Sequence, residues 1–287
     1  MPQSTESNEE IDRITIPNLA VSSPVSLLET ALVSNLASLP LGMLGQADAA
    51  SYLERASAAL LIIYGGSIAI DTFYGKRVRK INFMDAFGLD TKNLDEMPKH
   101  ARRHEVGILT ERVNDEFTPQ THDRKELAHL ANDYLTDYIA SITGQRVLTT
   151  DRVRKFSLFK FLMPDSLGVT DRFGGEVAIY GNVGVFNPFV YAHELAHRKG
   201  YMKELEAQVL AYLALIGSTD GILVQSANCE RLNAQMASLT KGIDERIDFI
   251  ERSNLRLELK KEFIARKPRR GLYSKVVGFV TLPAYGL

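Results

Sequence analysis

Two uncharged apolar stretches, residues 30–47 and 56–70, lie close together near the start of the chain. Apolar runs of this kind fold as helices that must hide their side chains from water, so the pair predicts an apolar helical hairpin over residues 25–75. Asn35, Pro40 and Gln46 make the first run a poor membrane span. The second lies between Arg55 and Asp71, and its fifteen residues fall short of the roughly 20 that cross a bilayer unless Asp71 sits at the interface. Lys76, Arg77, Arg79 and Lys80 follow directly. If the segment spans, these cations keep the C-terminal remainder on the cytoplasmic side. The hairpin is therefore either packed inside a soluble domain or a membrane anchor.

Composition narrows the rest. The chain has 287 residues, 34 Lys and Arg against 35 Asp and Glu, and a net charge of −1. At 45% hydrophobic and 24% charged it has the makeup of a folded protein with a real core. The even charge balance argues against a nucleic-acid partner, which requires a surplus of cations. One cysteine, Cys229, excludes an intramolecular disulfide framework and any Cys-rich zinc module, and it fits a reducing compartment. The first residues are polar and acidic, with no basic segment leading into an apolar one, which does not read as a secretory signal. These points predict a protein that is cytoplasmic or cytoplasm-facing at the inner membrane, and not secreted. Residues 1–24 read as a mobile tail and residues 76–287 as the main domain.

That domain reads as α+β and predominantly helical. Residues 94–117 are polar with helical spacing. Residues 126–143 repeat Leu127, Leu130, Tyr134, Leu135, Tyr138, Ile139 and Ile142 at helical intervals, with Gly144 as a stop. Between residues 147 and 185 alternating apolar residues, Pro164 and the glycines from Gly168 to Gly184 predict short strands and turns, and residues 175–181 are the best strand candidate. Helices return after Asn187, with Ile243, Ile247 and Ile250 on one stripe.

The first of these later helices carries His193-Glu194-Leu195-Ala196-His197. Residues i and i+4 share a helix face, so both imidazoles can reach one ion. Glu194 falls beside them, placed to take a proton from a water that the ion activates. Asn187 suits the N-cap, Pro188 the first helical position and Gly200 the left-handed residue past the end. A catalytic zinc site needs a third protein ligand, and Glu204 and Glu206 are the candidates. At about 100° per residue, Glu206 points along the apolar stripe of Val209, Leu210 and Leu213, and Glu204 points almost oppositely. A carboxylate in an apolar stripe is costly unless paired or metal-bound. The expected metal ligands are therefore His193, His197 and Glu206.

The run from His193 through Gly200 to Glu204, Glu206 and Ala207 resembles the gluzincin type of zincin metallopeptidases, whose third ligand is a Glu on the next helix. It is most similar to a bacterial family of uncharacterised, predicted membrane-anchored metallopeptidases with the motif His-Glu-Leu-Ala-His-x-x-Gly-x-x-x-Glu-Asp-Glu-Ala-Asn. Leu205 stands where that family has Asp, and Gln208 where it has Asn. Gly175-Glu176 also resembles a Gly-Glu-Ala segment of the family. The resemblance covers residues 173–217 and implies a zincin-like core with a small sheet before the motif helix, Zn2+ as cofactor, and two N-terminal membrane spans. It also implies a substrate strand next to the active-site helix, a role residues 176–180 are placed to fill. An ordinary core strand is the other reading of that segment.

The function expected is zinc-dependent hydrolysis of a peptide bond in a peptide or protein substrate, with Glu194 as general base. An oxyanion donor could come from Tyr180, Tyr212, Tyr273 or Tyr285, and the sequence does not choose among them. Two other readings use the same residues: a catalytically inactive zinc-binding structural or regulatory protein, and a helical membrane-associated scaffold with a chance motif. His129, His100 and His104 read as helix-surface residues and Cys229 as an inert buried thiol. The cluster Arg266, Lys267, Arg269 and Arg270 around Pro268 reads as a solvated face.

Overall fold

The structure, a computed structural model, describes residues 12–23, 25–89, 97–119, 122–155, 157–158, 168–171 and 173–266. Tyr273, Tyr285, Lys267, Arg269, Arg270, Pro164 and residues 1–11 lie outside them.

Among the described residues helices dominate, and the strands are short. Strand β1 (Asp12–Thr15) pairs in parallel with β2 (Gln145–Leu148). The segment expected to be a mobile tail is thus partly built into the fold. Ile14 and Ile16 account for this: they pack against Val78 and Val147 and tie β1 down. A short helix α1 (Leu19–Ser22) leads to the hairpin, α2 (Leu27–Met43) and α3 (Ala47–Gly75). The two helices pack on each other, and the Ser57 hydroxyl donates to the Ala31 carbonyl across the pair at 2.8 Å. Much of the hairpin's apolar surface faces outward, including Leu36, Leu39, Met43, Ile62 and Ile63.

The chain continues through α4 (Phe83–Phe87), α5 (Lys99–Asp115) and α6 (Arg124–Thr143). Asp123 and Glu126 form a capping box at the start of α6, and Gly144 ends it at φ 67°, a conformation open to glycine at little cost. Leu127, Leu135 and Ile139 are fully buried, as their spacing predicts. Strand β3 (Gly168–Thr170) pairs antiparallel with β4 (Val177–Ile179). The small sheet before the motif helix is therefore present, separate from the β1–β2 pair. Strand β4 is an interior strand. Arg154 bridges its second edge with hydrogen bonds at 2.8 and 2.9 Å, and all three of its residues are buried. The role of substrate-pairing edge strand does not fit residues 176–180, because both edges are already taken.

A 3-10 turn (Gly184–Phe186) opens onto α7 (Asn187–Arg198), followed by α8 (Glu204–Ile216), α9 (Gly221–Leu239), α10 (Ile243–Arg252) and α11 (Leu257–Ala265). Helix α7 runs through the main core, where Leu195 and Ala196 pack with Leu127, Leu135, Leu210 and Leu223. A second core joins α5, α9 and α11 through Val113, Leu232 and Phe263, and it encloses Cys229. Arg266 is not on a solvated face: it pairs with Glu230 and lies 4.2 Å over the Phe186 ring.

Leu135 is fully buried where α6 meets α7. Leu135→Ala should lower unfolding free energy by about 2–5 kcal/mol, the usual cost of such a cavity. Urea denaturation reads it as a lower midpoint at unchanged slope.

Candidate metal centre

The motif helix begins and ends on buried polar anchors. At its start the Phe189 amide, one of the donors a helix leaves without an internal partner, donates to Ser226 Oγ at 3.0 Å. Asn187 is already helical rather than the N-cap, and its side-chain oxygen accepts from the Val183 amide at 3.0 Å. It fixes the turn before the helix.

At the far end Gly200 adopts φ 89°. The Tyr201 amide donates to the Ala196 carbonyl at 3.1 Å and the Gly200 amide to the His197 carbonyl at 2.8 Å. This is the Schellman pattern, as the position of Gly200 predicts. Arg198 and Lys199 then turn inward. The Arg198 guanidinium donates to the carbonyls of Gly175, Thr150 and Arg152 at 2.6–2.8 Å. Lys199 Nζ donates to Thr136 Oγ1, the Val147 carbonyl and Thr149 Oγ1 at 2.8–3.0 Å. Burial pushes Arg198 down to about 9. Burial, with Arg198 alongside, pushes Lys199 down to about 7. Sequence reasoning missed both residues, because adjacent cations at a helix end read as surface. The signal available was the phase of Arg198 and Lys199 beside the buried Leu195 and Ala196.

This turn brings α8 back across the histidines. His193 Nε2 and His197 Nε2 lie 3.2 Å apart, and Glu204 Oε2 lies 3.1 Å from the first and 3.5 Å from the second. The third residue in the cluster is Glu204, not Glu206. Glu206 instead pairs with Lys203 Nζ at 2.8 Å. Helical phase does not foresee this placement, for a geometric reason. Phase says which way a side chain points about the axis of α8, but the histidines face the end of that helix. Glu204 is its first residue, where a carboxylate is also favoured by the helix dipole.

The donor set fits a divalent cation. The Tyr201 carbonyl can only accept, so His197 donates to it from Nδ1 at 2.8 Å. Such a bond leaves the Nε2 lone pair free for a metal. Three electron-pair donors then face one point, and a cation satisfies all of them at once. Ligand atoms set tetrahedrally around zinc are about 3.3 Å apart, close to the three observed edges. His193 lies stacked against the Phe189 ring, 6.4 Å between centroids. When their Nε2 atoms carry a proton instead, His193 and then His197 donate to Glu204 and hold its carboxyl well below the usual range. Burial alone would lower His197, but the Glu204 hydrogen bond and charge outweigh it and its pKa is raised.

Glu194 is buried behind this cluster, and its Oε2 accepts from Thr170 Oγ1 at 2.6 Å. Burial raises its pKa, partly offset by the two histidines and Thr170. Gly168 leaves room for it: a Cβ there would stand 2.9 Å from Glu194 Oε1. Thus β3, which sequence reasoning did not single out, positions the carboxylate. His129 pairs with Asp133 and Asp151 on the surface, and His100 and His104 are exposed on α5, as expected. Tyr212 packs against the main core from α8, and Tyr180 is half-buried just beyond β4.

A family model described as "Protein of unknown function (DUF3810)" matches residues 55–269. The chain belongs to this family. No curated protein and no solved structure matches it. The DUF3810 match runs from α3 to beyond α11, so it contains the whole His193–His197–Glu204 cluster and Glu194.

Arg198→Met leaves three carbonyls without their donor, at about 1–3 kcal/mol each for those that water cannot reach. A stability loss of about 3 kcal/mol or more is expected in urea denaturation. A loss under about 0.5 kcal/mol, typical of a surface site, would show that Arg198 does not anchor the helix end.

Proposed function

We propose that the protein is a zinc-dependent metallopeptidase with a zincin-like core of gluzincin type. The observation that carries this reading is the convergence of His193 Nε2, His197 Nε2 and Glu204 Oε2, with the buried Glu194 carboxylate beside them. His193, His197 and Glu204 would hold the ion. Bound there, zinc supplies Lewis acidity, polarising a carbonyl oxygen and bringing the pKa of a water toward neutrality. The protein's own groups do the rest. The Tyr201 carbonyl orients the His197 ring through Nδ1. Thr170 fixes Glu194 Oε2, leaving the carboxylate to accept a proton from the attacking water and return it to the leaving amine. Burial raises the proton affinity of Glu194.

A scaffold with a chance motif gives no reason for a buried carboxylate held on Thr170 beside two inward-facing imidazoles. A zinc protein without turnover gives no reason for Glu194 itself. We also infer that the α2–α3 hairpin anchors the protein in a membrane. Helix α3 has 29 residues and the hydropathy of a spanning helix, and only 17% of its most apolar window is buried. A hairpin serving as the core of a soluble domain would be covered.

Metal analysis after gel filtration tests the site. Wild type, Glu194→Gln and Glu206→Gln should retain stoichiometric zinc, and Glu204→Gln should lose it. On a proteome-derived peptide library read by mass spectrometry, Glu194→Gln should cut about 10²–10⁴-fold more slowly than wild type. Zinc kept by Glu204→Gln, or full activity in Glu194→Gln, would refute the reading.

A further inference from the structure

A cavity of about 280 Å³ lies between His197, one residue of the candidate metal centre, and the C-terminal end of α3. One wall is the end of α7 and the turn after it, with His197, Gly200 and Met202. The end of α3, from Asp71 to Lys76, also lines the cavity, as do Lys80 and Phe173. We propose that this cleft opens at a membrane surface and that the chain it cleaves is the juxtamembrane segment of an integral membrane protein. The inference rests on the metallopeptidase reading and adds the class of substrate.

Four observations place the cleft at that level. First, the outward face of α3 is apolar up to the cavity: Ile62 is 75% exposed, and Ile63, Ile70 and Phe73 are exposed as well. Second, apolar exposure continues onto segments that are not part of the hairpin. Phe173, in the β3–β4 turn, is 73% exposed, and Met202, after α7, is 41% exposed. Both line the cavity, so exposed apolar side chains from outside the hairpin contribute to it. Third, charge appears where the apolar helix ends. Lys76 and Arg77 are exposed directly after α3, with the Arg77 guanidinium 4.5 Å over the Phe73 ring. Cations at this level complement anionic headgroups, and their stems cover the apolar surface below. Fourth, hairpin and site are tied together. The Tyr64 hydroxyl donates to Asp171 in the turn next to Thr170, which holds Glu194. The Asn18 amide donates to Asp71 Oδ1 at 2.8 Å.

The step from apolar to charged surface along Asp71–Lys76 places this end of α3 in the headgroup layer. His197 lines the same cavity as Asp71–Lys76, which sets the candidate metal centre beside that level. A polypeptide leaving the bilayer beside α3 enters the cleft directly, whereas one from bulk water must cross the headgroup layer.

The test uses full-length wild type and Glu194→Gln, reconstituted into phosphatidylglycerol-containing vesicles with detergent-extracted membrane proteins. New N-termini are mapped by mass spectrometry, and both enzymes are also run in detergent on the soluble peptide library. Wild-type-specific cuts should cluster in segments flanking membrane spans. Ile62→Asp, on the lipid-facing side of α3 away from the cleft, should weaken vesicle binding about tenfold or more. It should lower the vesicle cuts in proportion while leaving library cleavage unchanged. Library cleavage with vesicle cuts spread over exposed domains would overturn the inference and leave the peptidase reading intact. No cleavage in either assay would overturn both.

Discussion

The turn after the motif helix is the constraint on which the site depends. Two histidines one helical turn apart would make only two ligands of a metal site, and a third would have to come from a segment that doubles back within a few residues. Gly200 supplies the left-handed residue, and the Tyr201 and Gly200 amides close the helix end. Arg198 and Lys199 fix that end by donating to oxygens of α6, β2 and the loops after β2 and before β4. Two buried cations are expensive, and here each is surrounded by acceptors that would otherwise lack donors. The same turn directs the Tyr201 carbonyl at His197 Nδ1 and the first residue of α8 at both Nε2 atoms. Closing the helix, orienting the His197 ring and delivering Glu204 to the two histidines are a single local geometry.

Much of this was legible in the residues. The i, i+4 histidines, the glycine stop, the amphipathic α6 and the short strands before the motif all follow from spacing and turn chemistry. What was not legible depends on three-dimensional placement. Glu206 looked anomalous in an apolar stripe, yet Lys203 accompanies it, and Glu204 reaches the histidines from the tip of its helix. Phase about a helix axis cannot describe a contact made past the end of that axis. Strand β1 was hidden because pairing with β2, more than a hundred residues later, is a tertiary event. Arg198 and Lys199 were hidden because a cation looks exposed until the carbonyls that surround it are known.

The hairpin gives the chain a second surface with its own physics. Its polar contacts with the domain lie near its base, at Glu29, Tyr64 and Asp71, which bond to Ser157, Asp171 and Asn18. Toward the turn between α2 and α3 apolar side chains dominate the exposed surface. As the proposed anchor, the hairpin would hold the domain at a fixed orientation, because Tyr64 bonds to Asp171 in the turn after β3 and Asp71 accepts from the Asn18 amide. In this account anchoring and substrate access are consequences of one docking arrangement.

The central claim is that His193, His197 and Glu204 hold one metal ion. The most direct measurement is anomalous diffraction from crystals of the full-length protein, with data collected on both sides of the zinc absorption edge. The account predicts one strong peak about 2.0–2.2 Å from His193 Nε2, His197 Nε2 and a Glu204 oxygen, with Glu206 turned away toward Lys203. A peak ligated by Glu206, or none between the histidines in zinc-grown crystals, would contradict it.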